Sequence, residues 1–317
     1  MFSKYLSSFL LLFSLLLTTS HVREVLAASC HGGGGGQSIV VIPSGQHYQV
    51  GMLNSYTFTK GQVDPYGFYL PSSEDTSLST MASTLGLGYR LSENFQVGIN
   101  LPLIYTQQTL SQTKNSHTSM GDPLVELRYG LLDDLAFLKL HPQLSLYGGL
   151  RLPLGTSVYN SSDPYGSDVV SNGLTTSYVG FNASKNYRPI QLTCDGSFFY
   201  PFTKKVTKMK SNSLSNPYTL KSGNQIQLSE GINIFLGSKL VASFSLNQLW
   251  GLASSVDGKK VSASRSRLFS TSLGLGYTFN TSWGIGLSYQ TPFPFEKYLA
   301  KQSKTQTISL AITYGGS

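Results

Sequence analysis

The chain has 317 residues, of which only 12% are charged, and a formal net charge of +8. A soluble surface ordinarily uses about 25% Asp, Glu, Lys and Arg. Here Ser, Thr, Asn, Gln, Gly and Tyr take the place of charge, as they would with an apolar outside around a neutral polar inside. The basic balance would suit nucleic acid, but no aromatic-basic module or groove-reading helix is present, so no nucleic-acid partner is expected.

Residues 1–29 read as a signal peptide: Lys4, an apolar core from Phe9 to Leu17, and a small-residue site at Ala27-Ala28-Ser29. The core is shorter than the roughly 20 apolar residues of a spanning helix, and no later segment reaches that length. Any membrane crossing must therefore use strands. Ala27-Ala28-Ser29-Cys30 also resembles a lipobox, which makes Cys30 a lipidation candidate beside the plainer reading of simple cleavage. Cleavage after Ala28 would expose Ser29-Cys30-His31, a thiolate and imidazole suited to a soft metal, but one such pair assigns no metal site and no cofactor. Residues 30–44, with glycines at Gly32–Gly36, read as a tether or as a plug for a pore. Cys194 falls on the apolar side of its stretch, so no disulfide framework is expected.

From residue 45 onward, about twelve stretches alternate apolar and polar residues, and the gaps between them alternate between short and long. Short gaps fall near Leu91–Glu93, Leu132–Phe137, Lys185–Arg188, Gly237–Lys239 and Asn280–Ser282. Long ones fall near Lys60–Thr76, Gln108–Met120, Leu154–Ser171, Thr203–Lys221, Ala253–Ser264 and Thr291–Lys301. This pattern predicts an all-β fold over 45–317: an antiparallel up-and-down transmembrane β-barrel, with short periplasmic turns and long extracellular loops. Pro and Gly form no linker inside it, so a single barrel domain is expected.

Period two sorts the two faces of each strand. Phe95, Val97, Ile99, Leu101, Leu103 and Tyr105 oppose Gln96, Gly98, Asn100 and Pro102. Leu138, Leu140, Leu144, Leu146, Leu150 and Leu152 oppose Lys139, His141, Gln143, Ser145, Tyr147 and Arg151. Aromatic residues at strand ends, among them Tyr89, Tyr105, Trp250, Phe279, Trp283 and Tyr289, match the girdles of outer-membrane barrels. Glu230 breaks the pattern on an apolar face, which a bulge, an interface position or a shifted register would explain. Gly173–Ala183 alternates poorly.

Inward positions Glu126, Arg128, His141, Arg151 and Asp195 are the pore-lining candidates. They read as a polar constriction that orders solutes or as cross-strand pairs, such as Glu126 with Arg151, that stiffen the interior. The two readings are compatible. A barrel hydrolase needs a nucleophile, a base and an orienting group brought together. His31, His47, His117 and His141 sit in no recognisable catalytic motif, so no catalytic residue is assigned and no enzyme is expected. Basic residues concentrate in the predicted loops: Lys204, Lys205, Lys208 and Lys210; Lys259, Lys260, Arg265 and Arg267; Lys297, Lys301 and Lys304. They suit lipopolysaccharide phosphates or draw an anionic solute to the mouth.

Three phrases resemble a family of outer-membrane transporters, that of the meta-pathway of phenol degradation. They are Gly86-Leu87-Gly88-Tyr89-Arg90-Leu91 running into Phe95–Leu103, then Gly121-Asp122-Pro123, and Leu150-Arg151-Leu152-Pro153-Leu154-Gly155-Thr156. The resemblance covers mainly residues 80–160. It implies a channel or transporter in a Gram-negative outer membrane for small solutes, aromatic or apolar ones among them. The chain departs from the family's pattern where it continues past Tyr314 with Gly-Gly-Ser. The alternative is a barrel hydrolase, or a structural or adhesive barrel without transport.

Overall fold

The computed structural model describes residues 41–43, 45–63, 69–71, 76–110, 113–133, 141–163, 166–206, 217–293 and 303–316. In chain order the strands are β1 (Tyr48–Val63), β2 (Tyr69–Pro71), β3 (Thr76–Arg90), β4 (Phe95–Leu110), β5 (Thr113–Met120) and β6 (Leu124–Leu132). Then come β7 (Gln143–Arg151), β8 (Thr176–Tyr187), β9 (Ile190–Pro201), β10 (Lys204–Val206), β11 (Tyr218–Lys221) and β12 (Gln225–Leu236). The last are β13 (Leu240–Gly251), β14 (Ser254–Val256), β15 (Lys259–Val261), β16 (Ser266–Thr278), β17 (Trp283–Pro292) and β18 (Ser303–Gly316).

Twelve of these form a closed antiparallel barrel, each strand pairing with its neighbours in the chain. The seam lies between β18 and β1, paired from Tyr48↔Gly316 to Gln62↔Ser303. Closure leaves no sheet edge to aggregate. One end carries tight turns, such as Arg188-Pro189 between β8 and β9 and residues 237–239 between β12 and β13. The other end carries the long connections. The short–long rule therefore holds.

Several predicted loops contain more order than their sequence announced. The connection over Gln108–Met120 is a hairpin: β4 runs on to Leu110 and β5 pairs back along it. Strands β5 and β6 act as one barrel strand interrupted at Gly121-Asp122-Pro123, since both pair with β4. The connections near Thr203–Lys221 and Ala253–Ser264 supply β10, β11, β14 and β15, a separate four-stranded sheet. Ser, Lys and Gly dilute the alternation there, so the pattern is weak. Leu138, Lys139 and Leu140, expected on a strand, lie outside the described residues, as do Lys208, Lys210, Lys297 and Lys301.

The exterior is apolar. Val179 is 63% exposed and Leu273 58%, with Leu103, Phe244, Leu275 and Leu287 also exposed. Tyr89, Phe279 and Trp283 are exposed at the short-turn end. Among the described residues no helix is long and apolar enough to cross a membrane. Glu230 sits on this exterior, exposed, in unbroken register with Cys194 and Leu246. No bulge accounts for it; the strand carries a carboxylate on its apolar face.

Inside, the two halves differ. Along β12, β13, β16, β17, β18, β1 and β3 the wall is small and neutral. It is tied by Ser229 to Asn247 (2.7 Å), Asn247 to Ser272 (3.0 Å) and a Thr57–Thr307 hydroxyl pair (2.9 Å). Along β6–β9 the interior is packed, with Leu124, Tyr147, Tyr178 and Phe199 buried together.

Candidate functional site

The packed half holds four of the five predicted site residues. Glu126 and Arg128 face inward from β6, Arg151 from the outer end of β7, and Asp195 from β9. Glu126 accepts from Arg128 through Oε1 (3.1 Å) and from the Tyr178 hydroxyl through Oε2 (2.8 Å). Asp195 accepts from the Tyr147 hydroxyl through Oδ1 (2.6 Å) and from Asn182 Nδ2 (3.4 Å). Two buried carboxylates are thus held by phenols and a guanidinium, as buried charge requires.

The rings run along the wall. Tyr147, Tyr178 and Phe199 follow one another at 6.1 and 5.5 Å between centroids. Glycine makes the path. A Cβ on Gly149 would lie 2.8 Å from the Tyr178 ring and hydroxyl, and one on Gly180 would lie 2.5 Å from Tyr147 Cζ. Each tyrosine crosses a glycine on the neighbouring strand to reach its acid. This also explains the poor alternation of Gly173–Ala183: Tyr178, an aromatic, points inward.

Two expectations need correction. Glu126 pairs with Arg128 on its own strand, and Arg151 instead lies 5.8 Å over the Phe199 ring. In the register Arg151 faces Leu124 while Glu126 faces Gly149, two residues along, so the expected pair is out of step. His141 lies before β7 rather than on a strand face. Its Nδ1 contacts the Asp133 carbonyl (3.1 Å) in the turn at the far end from Arg151. The alternation continues past the strand's start, which misled the reading.

Two segments approach the mouths. The connection over residues 152–175 bends inward: Thr106, on the lumen side of β4 and buried, donates to the Ser167 carbonyl. Asp122 anchors it, accepting from the Gly155 amide (3.2 Å) and the Ser171 hydroxyl (2.8 Å). Lys204 adds a bond to the Gly173 carbonyl (2.9 Å) and lies 5.1 Å over the Tyr159 ring. Within the loop Asp168 accepts from the Ser161 hydroxyl and from the Ser162 amide (2.8 Å). Burial pushes the Asp168 carboxyl up, but these hydrogen bonds outweigh it and hold it below the ordinary value of 3.8.

At the opposite mouth Ile42 is buried. Its backbone exchanges bonds with Gln96 (3.2 and 3.1 Å), and Arg90 donates to the carbonyls of Ile42 (2.7 Å) and Pro43 (2.8 Å). Residues 1–40 and Ser44, Cys30 included, lie outside the described residues. Sequence reading passed over Asp122, Arg90 and Tyr178 as site residues. Asp and Arg sat in the phrases that carried the family resemblance, and that was the available signal. Among the described residues no group of three or more His, Cys, Asp or Glu is placed to hold a metal.

The fold is similar to that of an outer membrane channel from Pseudomonas putida F1, at 11% identity and a TM-score of 0.66. The match covers 87% of this chain and 100% of that one. The chain also matches the translocator domain of the autotransporter NalP from Neisseria meningitidis, at 12% identity and a TM-score of 0.47, over 86% of this chain and 89% of that one. That weaker likeness carries no argument. No protein-family model matches the chain, and no curated protein matches it. At such identities the likeness establishes the fold: a closed twelve-stranded antiparallel barrel.

Proposed function

We propose that the chain is an outer-membrane channel that passes small solutes without covalent chemistry. The observation that carries this reading is the asymmetric interior: a wall of small hydroxyl and amide side chains facing a packed, internally hydrogen-bonded wedge. Glu126 and Asp195 are spoken for, whereas Arg151 is half-buried and held by a ring rather than an acid. Arg151 is then the charge that a passing solute meets. A length of twelve strands lies between eight, which side chains fill, and 16–18, which leave a wide channel. The apolar exterior with aromatic strand ends supports membrane residence.

The fold's likeness to a channel and the resemblance to the phenol-pathway transporters both support passage. Of the solutes that the resemblance implies, aromatic ones rest on the resemblance alone, and an anionic group on them suits the half-buried Arg151 guanidinium. Liposomes carrying the protein should swell in small uncharged solutes, and benzoate should enter faster than acetate-sized controls of equal charge predict. Liposomes as tight as protein-free ones would refute the channel. Equal rates for matched aromatic and aliphatic anions would refute the aromatic preference alone.

A further inference from the structure

Outside the barrel, at the long-loop end, a cleft of about 660 Å³ opens between the ends of β11–β12, β13–β14 and β15–β16. Its lining includes Lys221, Lys260, Arg265 and Arg267, all exposed, and, among the described residues, no carboxylate. Trp250 and Leu252 form its apolar part. The cleft belongs to the exterior: Trp250 pairs in register with Arg267, on the same faces of β13 and β16 as exposed Phe244 and Leu273. Trp250 also packs edge-on against Phe269 (5.8 Å), and Lys221 lies 5.7 Å over the Tyr200 ring. Four cations therefore stand just above an aromatic step that leads onto the apolar wall.

We propose that this cleft binds the phosphorylated head group of an outer-leaflet glycolipid, with the four cations on its phosphates and Trp250 at the boundary with its acyl chains. Charge complementarity selects an anion, and at this volume the cleft accommodates a sugar-sized head. A soluble anion on its way through the pore would need these groups to face the lumen, whereas Arg267 lies on the exterior face of β16 and Lys221 over the exterior Tyr200 ring. Tryptophan at the interface and cations at head-group depth are what an anionic lipid surface attracts. The inference rests on the outer-membrane reading above but not on conduction.

The test is native mass spectrometry of the full protein in detergent with diphosphoryl lipid A, its dephosphorylated counterpart, and inorganic pyrophosphate as a soluble competitor. Diphosphoryl lipid A should bind at least about tenfold more tightly than the dephosphorylated form. Each cation removed should weaken it about fivefold, so Arg265→Gln/Arg267→Gln should bind on the order of 25-fold more weakly. Both proteins should keep the same heat-dependent gel shift, which reports the folded barrel. Equal binding of the two lipids, or an unchanged double variant, overturns the proposal. Pyrophosphate saturating the cleft as tightly as the lipid also overturns it, in favour of a soluble-anion site. Lipid binding without conductance would defeat the channel reading and leave this one standing.

Discussion

At the scale of single residues, the decisive feature of the barrel wall is that each of its buried acids, Glu126 and Asp195, is matched by a phenol crossing a glycine. Tyr147→Phe removes the shorter of the two hydrogen bonds described at Asp195, 2.6 Å against 3.4 Å from Asn182. It should cost about 1–3 kcal/mol in a urea-unfolding series, as the loss of a hydrogen bond to a buried charged group does. Gly149→Ala should cost a similar amount, about 1–3 kcal/mol, through overpacking against the Val125 carbonyl and the Tyr178 ring. Retained stability in both variants would mean that the rings do not lie along the wall as described. Glu126→Gln keeps an acceptor for Tyr178 but frees the Arg128 charge, so permeation should move towards anions. No change, or a shift towards cations, would contradict the assigned pairing. Glu230 behaves differently: it lies on the apolar exterior, in register with Cys194 and Leu246.

At the scale of elements, two segments are held at the mouths by hydrogen bonds that substitutions can release. Asp122→Ala removes two of the hydrogen bonds that hold the 152–175 connection, leaving those from Thr106 and Lys204, and should raise single-channel conductance with the barrel intact. Unchanged conductance would mean that this segment does not narrow the passage. The connection should also respond to acid. The Asp168 carboxyl is held below its ordinary 3.8, so its stabilising bonds are fully present above about pH 4 and fade as pH falls through the lowered value. Conductance should stay constant from about pH 7 to 5 and rise only below about 4. Asp168→Asn should flatten that rise. At the other mouth, Gln96→Ala with Arg90→Ala frees Ile42 and Pro43. If the segment from Cys30 to Ser44 plugs the pore, this variant and a deletion of His31–Gly36 should both increase flux; a plain tether leaves both unchanged.

At the scale of the whole molecule, the barrel was legible because two periodicities reinforced each other. Side-chain alternation marked strands such as Phe95–Leu103, and the alternation of gap lengths marked which end each turn occupies. Legibility failed where the chain trades pattern for a specific contact. Tyr178 breaks the alternation of β8 to reach Glu126, and the Lys- and Ser-rich connections hide the strands of the outer four-stranded sheet. Four of the five candidate wall residues do come together, since facing parity alone brings Glu126, Arg128, Arg151 and Asp195 inward. Their pairing was not legible: it depends on strand register, which placed Arg151 opposite Leu124 rather than Glu126. His141 was misplaced by one strand boundary. The central claim, a passage in which a solute meets the half-buried Arg151, is tested most directly by single-channel recording across a potassium chloride gradient in planar bilayers. The wild-type protein should give discrete conductance steps with a reversal potential on the anion side, and Arg151→Ala should move that potential towards zero at similar conductance. A silent bilayer, or a reversal potential unmoved by Arg151→Ala, would contradict the account.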